Sequence, residues 1–230
     1  MTANAQVRSN SKNRRWLSWL VAILVPVMLI LTSVRILMTP AFVQVEYRTP
    51  NFPADRYGFT REDRLNWSLI ALDYLLNDEG ISFLGDLQFE DGTQVYNERE
   101  LGHMVDVKKV LEVALIVWYA SIAGVLLLGL WAWWGGWWQD YKYGLSRGGW
   151  LTVIVVAVTL VAVLIGFSIF FVFFHQIFFA SGTWVFRFSD TLIRLFPERF
   201  WRDAFLVIGL LSLAGGLALA FGFRQKESAN

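Results

Sequence analysis

Asn97-Glu-Arg-Glu-Leu-Gly-His-Met-Val-Asp-Val-Lys-Lys-Val110 decides how this chain is read, because it opens on helix-starting signals and runs without a breaker into an apolar stretch ending at Trp134. Asn97 and Glu100 have the spacing of a capping box, in which each side chain accepts the other's backbone N–H at a helix N-terminus. Residues 99–109 are therefore expected to be the membrane-proximal end of one long helix. Its apolar part, 110–134, is long enough to cross a hydrocarbon core about 30 Å thick. The stretch also carries His103, one of only two histidines in the chain; the other is His175.

Working outward, the rest of the chain fits the same class. Its residues are 56% hydrophobic and its mean hydropathy is +0.46, above the roughly 45–50% apolar usage of soluble domains, and the excess sits in long blocks. Further apolar blocks at 16–38, 150–174 and 203–223 bring the expected spans to four. The first is too long for a signal-peptide core and lacks a small-residue cleavage site, so it stays as an anchor. Arg35 falls near the end of that block, where its stem can snorkel to the headgroups. A net charge of +1, with acids interleaved among the bases, offers no basic patch for nucleic acid. The absence of cysteine excludes disulfides, thiol nucleophiles and thiolate metal sites.

Between the first two spans, residues 39–109 form the one large polar segment, read as a small mixed α/β domain. Pro40, Pro50 and Pro53 argue for an extended beginning. Thr60 with Asp63 makes a capping box, and Leu65, Leu69, Leu72, Leu75 and Leu76 at helical spacing predict a helix over 61–77. Asp91-Gly92 between Leu87, Phe89, Val95 and Tyr96 predicts a type I′ hairpin over 86–96. Residues 135–149, with Lys142 and Arg147, read as a short loop. Residues 175–202 read as an aromatic interfacial loop in which Ser189-Asp190 caps a short helix over 191–196. Ala214, Ala218 and Gly222, at four-residue spacing in the last span, read as a helix-packing stripe.

Four spans put both termini on one side and both histidines on the other. The tail 1–15 carries Arg8, Lys12, Arg14 and Arg15 and no acid, and most acids fall in the other loops, so the tails 1–15 and 224–230 are expected in the cytoplasm. His103 and His175 then share the outer face. A single histidine at a helix end is commonly an interfacial hydrogen-bonding group. Two on one face, with Glu100 and Asp106 one helical turn either side of His103, point to proton transfer near neutral pH. The histidine pairs four apart that bind zinc are missing, and so are a Gly-x-Ser-x-Gly elbow and a phosphate-cradling glycine loop. No metal and no cofactor is expected.

The strings Tyr-Gly-Phe-Thr at 57–60, Asn-Glu-Arg-Glu-Leu-Gly-His-Met-Val-Asp-Val-Lys at 97–108, Phe-His-Gln-Ile-Phe-Phe at 174–179 and Gly-Thr-Trp at 182–184 resemble the lipoprotein intramolecular transacylase family of bacteria. The resemblance extends over roughly 17–223. It implies an enzyme of the bacterial cytoplasmic membrane that moves the sn-2 acyl chain of a diacylglyceryl lipoprotein to the α-amine of the same N-terminal cysteine, leaving a lyso-form lipoprotein. For that activity His103 and His175 are read as the catalytic groups, either one the base toward the amine and the other stabilising the oxyanion or protonating the glycerol oxygen, supported by Asp106, which orients His103, and Glu100, with Trp184, Arg187 and Lys108 at the substrate and diacylglyceryl lipoproteins and membrane lipids as partners. The residues themselves fit such chemistry. The substrate's own amine attacks through an eight-membered ring, so the protein needs proton handling rather than a nucleophile, and an α-ammonium with a pKa of about 7.7–8.0 must lose a proton first. Two readings compete: a non-enzymatic membrane module binding a lipid or protein through its polar segment, and a metal-assisted hydrolase of lipid esters.

Overall fold

The structure, a computed structural model, describes residues 15–224, so the terminal tails expected in the cytoplasm lie almost wholly outside the described residues. Among the described residues eight helices follow in order: α1 (Arg15–Leu37), α2 (Pro40–Glu46), α3 (Arg61–Leu76), α4 (Ser82–Gly85), α5 (Glu98–Trp134), α6 (Trp138–Phe178), α7 (Thr191–Leu195) and α8 (Glu198–Gly222). Four of these, α1, α5, α6 and α8, are long and apolar enough to cross a membrane. The chain divides into two compact units, one built from 15–34, 115–161 and 207–224 of the described residues, the other from 35–114 and 162–206.

In the first unit α1, α5, α6 and α8 pack through small residues and hydroxyls, as expected where lipid competes equally for apolar side chains. A Cβ on Gly148 would come within 2.6 Å of Val25 Cβ, and one on Gly149 within 2.5 Å of the Gly216 carbonyl, so both positions require glycine. Trp118 Nε1 donates to Thr32 Oγ1 at 2.9 Å, and Ser212 Oγ to Ser33 Oγ at 2.9 Å. The packing stripe of α8 is therefore Ser212, Gly216 and Ala220, all buried, whereas Ala214, Ala218 and Gly222 face outward. Four-residue spacing holds for both stripes; the partner helix chooses between them. Because α6 begins at Trp138, Lys142 and Arg147 ride on a helix and not in a short loop. Trp137 is buried and its backbone N–H bonds the Ala132 carbonyl at 3.1 Å, which folds the turn tightly enough for the next helix to start at once.

The second unit has two apolar clusters. One gathers Ala71, Tyr74, Leu84, Val95, Met104 and Leu195, and the other Val43, Tyr47 and Phe200. Pro40 occupies the first turn of α2, where its missing N–H costs nothing, so the start of the polar segment is helical rather than extended. Both capping boxes form: Thr60 Oγ1 accepts from Asp63 N at 3.1 Å, and Asn97 Oδ1 accepts from Glu100 N at 3.1 Å while Glu100 Oε2 accepts from Asn97 N at 2.9 Å. No strand is present among the described residues, so the expected mixed α/β domain is in fact helical. Residues 86–96 hold a single bridge between Gln88 and Gln94. Gly92 alone takes a positive φ, +82°, and Asp91 Oδ1 accepts from Thr93 N at 2.9 Å, which rules out a type I′ turn because that turn needs positive φ at both central residues. With α4 ending just before and α5 starting just after, no length remains for a ladder to propagate.

The segment before α3 is tied down by charge. Arg194 Nη2 meets Asp55 Oδ2 at 2.9 Å. Burial acts to raise the Asp55 carboxyl, but hydrogen bonds from Arg194 and the Phe59 backbone outweigh it and hold the group below its ordinary range. Tyr47 Oη donates to the Leu195 carbonyl at 2.5 Å, satisfying a C-terminal carbonyl of α7.

Candidate active site

Every group of the site belongs to the second unit. His103 sits one and a half turns into α5 and His175 in the last turn of α6, and their rings stack at a centroid distance of 6.2 Å and an interplanar angle of 24°. Phe179 and Phe186 pack edge-on against His103 at 4.8 and 5.3 Å. Only 9% of His103 is exposed, and its Nδ1 is buried without a hydrogen-bond partner among the described residues.

His175 has a defined tautomer. Its Nδ1 lies 2.8 Å from the Phe171 carbonyl one turn back, and a carbonyl can only accept, so Nδ1 carries the proton. In the neutral ring Nε2 is then left with a lone pair. Trp184 packs against His175, its ring centroid 4.9 Å away, and its indole Nε1 is buried without an acceptor among the described residues. Two rings bearing polar atoms with unmet hydrogen-bonding capacity thus pack against one imidazole whose tautomer is set by the Phe171 carbonyl.

The structure brings His103, His175 and Trp184 together and keeps the other expected site residues apart. Asp106 is half-exposed, 3.8 Å from Lys109 Nζ, and no hydrogen bond joins it to His103 among the described residues. Glu100 is 1% exposed, but it turns away from the imidazole: Oε2 accepts from Asn97 N and Oε1 from Leu192 N at 2.7 Å, so it caps α5 and α7 at once. The expected cap of α7, Asp190, instead accepts from Arg187 N at 2.8 Å. Lys108 is buried, donating to the Glu79 carbonyl at 2.7 Å and Asn77 Oδ1 at 3.3 Å over the Tyr74 ring, which gives it a packing role at the end of α3. Arg187 is exposed. Sequence reasoning missed Phe179, Phe186 and the Phe171 carbonyl. The phenylalanines were indistinguishable from the many other interfacial aromatics, and a backbone acceptor carries no residue-type signal. Among the described residues no cluster of three or more His, Cys, Asp or Glu could hold a metal ion.

These features define a class: a four-span helical membrane protein with a stacked imidazole pair walled by aromatic rings. A family model described as lipoprotein intramolecular transacylase Lit matches residues 19–201. The chain is 30% identical to an uncharacterised protein of Aquifex aeolicus (strain VF5) over 215 residues, covering 90% of this chain and 93% of that one. In fold it is similar to the membrane-integral lipoprotein intramolecular transacylase Lit from Bacillus cereus, with a TM-score of 0.60 at 22% identity over 90% of this chain and 94% of that chain. A histidine-to-alanine variant of that protein superposes with a TM-score of 0.70 at 21% identity, over 95% and 96% of the two chains. The chain belongs to the lipoprotein intramolecular transacylase family and is an integral membrane enzyme of that class.

Proposed function

We propose that this enzyme moves the sn-2 acyl chain of a diacylglyceryl lipoprotein onto the α-amine of the N-terminal cysteine, using His175 as base and His103 as its partner. The observation that carries the reading is the Phe171 carbonyl on His175 Nδ1, which leaves Nε2 as the proton acceptor. The amine attacks the ester carbonyl through the eight-membered ring of N, Cα, Cβ, S, two glycerol carbons, oxygen and carbonyl carbon. Its proton passes to His175 Nε2, the tetrahedral centre collapses, the ester C–O bond breaks, and the sn-2 glycerol oxygen takes a proton from the imidazole pair. One amide replaces one ester, and no acyl chain is lost to water. His103, packed between Phe179 and Phe186, supplies a second imidazole for the leaving oxygen. The aromatic wall excludes water that would otherwise hydrolyse the ester, and holding amine and ester together supplies effective molarity.

The basic N-terminal tail and the parity of four spans support both termini in the cytoplasm of a bacterial cell, with 39–109 and 175–202 on the outer face of its cytoplasmic membrane. Diacylglyceryl lipoproteins are then met as they lie in the outer leaflet. The test is tandem mass spectrometry of a lipoprotein N-terminal peptide, co-expressed with the enzyme in a host lacking other N-acylation. Transfer leaves the intact mass unchanged and places one chain on the amine and one on the glycerol. Two chains on the glycerol, with the enzyme inserted in the membrane, would refute the reading.

A further inference from the structure

The Trp184 indole has a donor that nothing among the described residues uses. Indole Nε1–H can only donate, and burying such a group without an acceptor costs on the order of 1–3 kcal/mol. Nε1 of Trp184 is buried and meets no acceptor among the described residues, although the ring is held firmly against His175, 4.9 Å between centroids. Folding therefore retains a donor beside the base when a phenylalanine, plentiful in this segment, would have filled the same wall. A donor left unmet beside the base is available to an acceptor on the substrate. The atom that the His175-promoted attack would bring there is the carbonyl oxygen of the ester, which gains negative charge as the amine adds.

We propose that the Trp184 indole N–H is the hydrogen-bond donor to the ester carbonyl oxygen of the transferred chain, and so a catalytic residue that stabilises the tetrahedral oxyanion. This assignment rests on the acyl-transfer reading above. In the step it serves, the amine nitrogen forms a bond to the carbonyl carbon and the C=O π pair moves onto oxygen, where the indole N–H meets it. The amine proton goes to His175 Nε2. When the pair returns, the C–O bond to the sn-2 glycerol carbon breaks, the glycerol oxygen takes a proton from the imidazole pair, and the indole N–H loses its ionic partner. With the oxyanion met by Trp184, His103 is left to serve the leaving oxygen. The hydrogen bond strengthens as charge develops, so its loss acts on kcat more than on KM.

The experiment replaces Trp184 in the full-length enzyme by 3-benzothienylalanine, which keeps the bicyclic ring and exchanges the N–H for sulfur, and in parallel by Trp184→Phe. Both are assayed in detergent micelles with a synthetic diacylglyceryl-cysteinyl peptide and with its analogue carrying a thionoester, C=S for C=O, at the sn-2 position. The expected result for the benzothienyl variant is a kcat lower by about 10²–10³-fold with KM within a factor of a few. The rate penalty for C=S over C=O should also shrink in the variant, because sulfur is a poor acceptor and the donor it would offend is already gone. A purely structural indole would not move that ratio. Wild-type kcat in the benzothienyl variant, or a C=S penalty equal to that of the wild type, overturns the assignment while leaving the acyl-transfer reading intact. If the wild-type enzyme itself leaves both chains on the glycerol, that reading falls and takes this assignment with it.

Discussion

Glu100 Oε1 accepts the backbone N–H of Leu192 at 2.7 Å, joining residues 92 positions apart in the chain. The same carboxylate caps its own helix through Asn97, and Thr191 Oγ1 donates to the Val95 carbonyl at 2.5 Å alongside. The beginning of α5 and the beginning of α7 are thereby one structure, and Phe186 and Trp184, which lie on the connection leading into α7, are held beside the imidazoles. Glu100→Ala leaves two N–H groups without acceptors, and a loss of about 2–4 kcal/mol in unfolding stability is expected, measured by thermal or denaturant unfolding in detergent. Glu100→Gln, which retains a carbonyl acceptor for one of them, should lose about half as much.

His175→Ala and His103→Ala should each reduce transfer by at least about 10²-fold while the protein still inserts, since the proposed mechanism gives each a part in proton transfer and neither supports a helix cap. Fragmentation of the lipoprotein peptide then finds both chains on the glycerol. Transfer at the wild-type rate in either variant would remove that histidine from the mechanism.

Asp106→Asn should change kcat by less than about threefold, because a half-exposed carboxylate that ion-pairs with Lys109 and makes no hydrogen bond to His103 among the described residues contributes little. Had this carboxylate fixed the His103 tautomer, the loss would be far larger. The maximal rate of the variant, read from a full pH–rate profile, checks the point.

Lys108→Met should lower stability by about 1–3 kcal/mol without raising KM for the lipopeptide, since the ammonium is committed to Asn77, the Glu79 carbonyl and the Tyr74 face. A raised KM at unchanged stability would instead return Lys108 to the substrate.

Glu46 is 4% exposed at the end of α2; burial first, then the Asp203 carboxylate, push it from 4.5 up to about 7, against an opposing pull from Arg199. A carboxyl raised in the folded state contributes stability fully below its unfolded pKa, and that contribution is lost as pH rises through the folded value. The wild-type melting temperature should therefore fall between about pH 5 and pH 8, and Glu46→Gln, which stays neutral, should remove that part of the slope and be the more stable protein at the alkaline end. Parallel melting curves of the two proteins across this range would count against the buried carboxyl as the cause.

Much of the fold was legible because it is written in short windows. The four apolar blocks, the Thr60–Asp63 and Asn97–Glu100 boxes and the unbroken run from 98 to 134 each depend on neighbours within a turn or two, so hydropathy and capping chemistry declare them. The two histidines were conspicuous by scarcity, and span parity alone set them on one face. Where reading failed, a long-range partner had decided. The Asp-Gly turn formed without strands because neighbouring helices left it no length, and Ser212, Gly216 and Ala220 were chosen over an equally spaced stripe by the helices they meet.

The site divides in the same way. Span length and residue chemistry are local properties, so a helical membrane protein with two scarce imidazoles could be read from the chain alone. It took the folded packing to show that Glu100 serves a distant helix rather than His103, that the Phe171 carbonyl sets the His175 tautomer, and that Phe179, Phe186 and Trp184 form the wall. Hydrogen bonds and ring contacts depend on where side chains point after packing, and that direction is fixed by contacts between segments far apart in the chain.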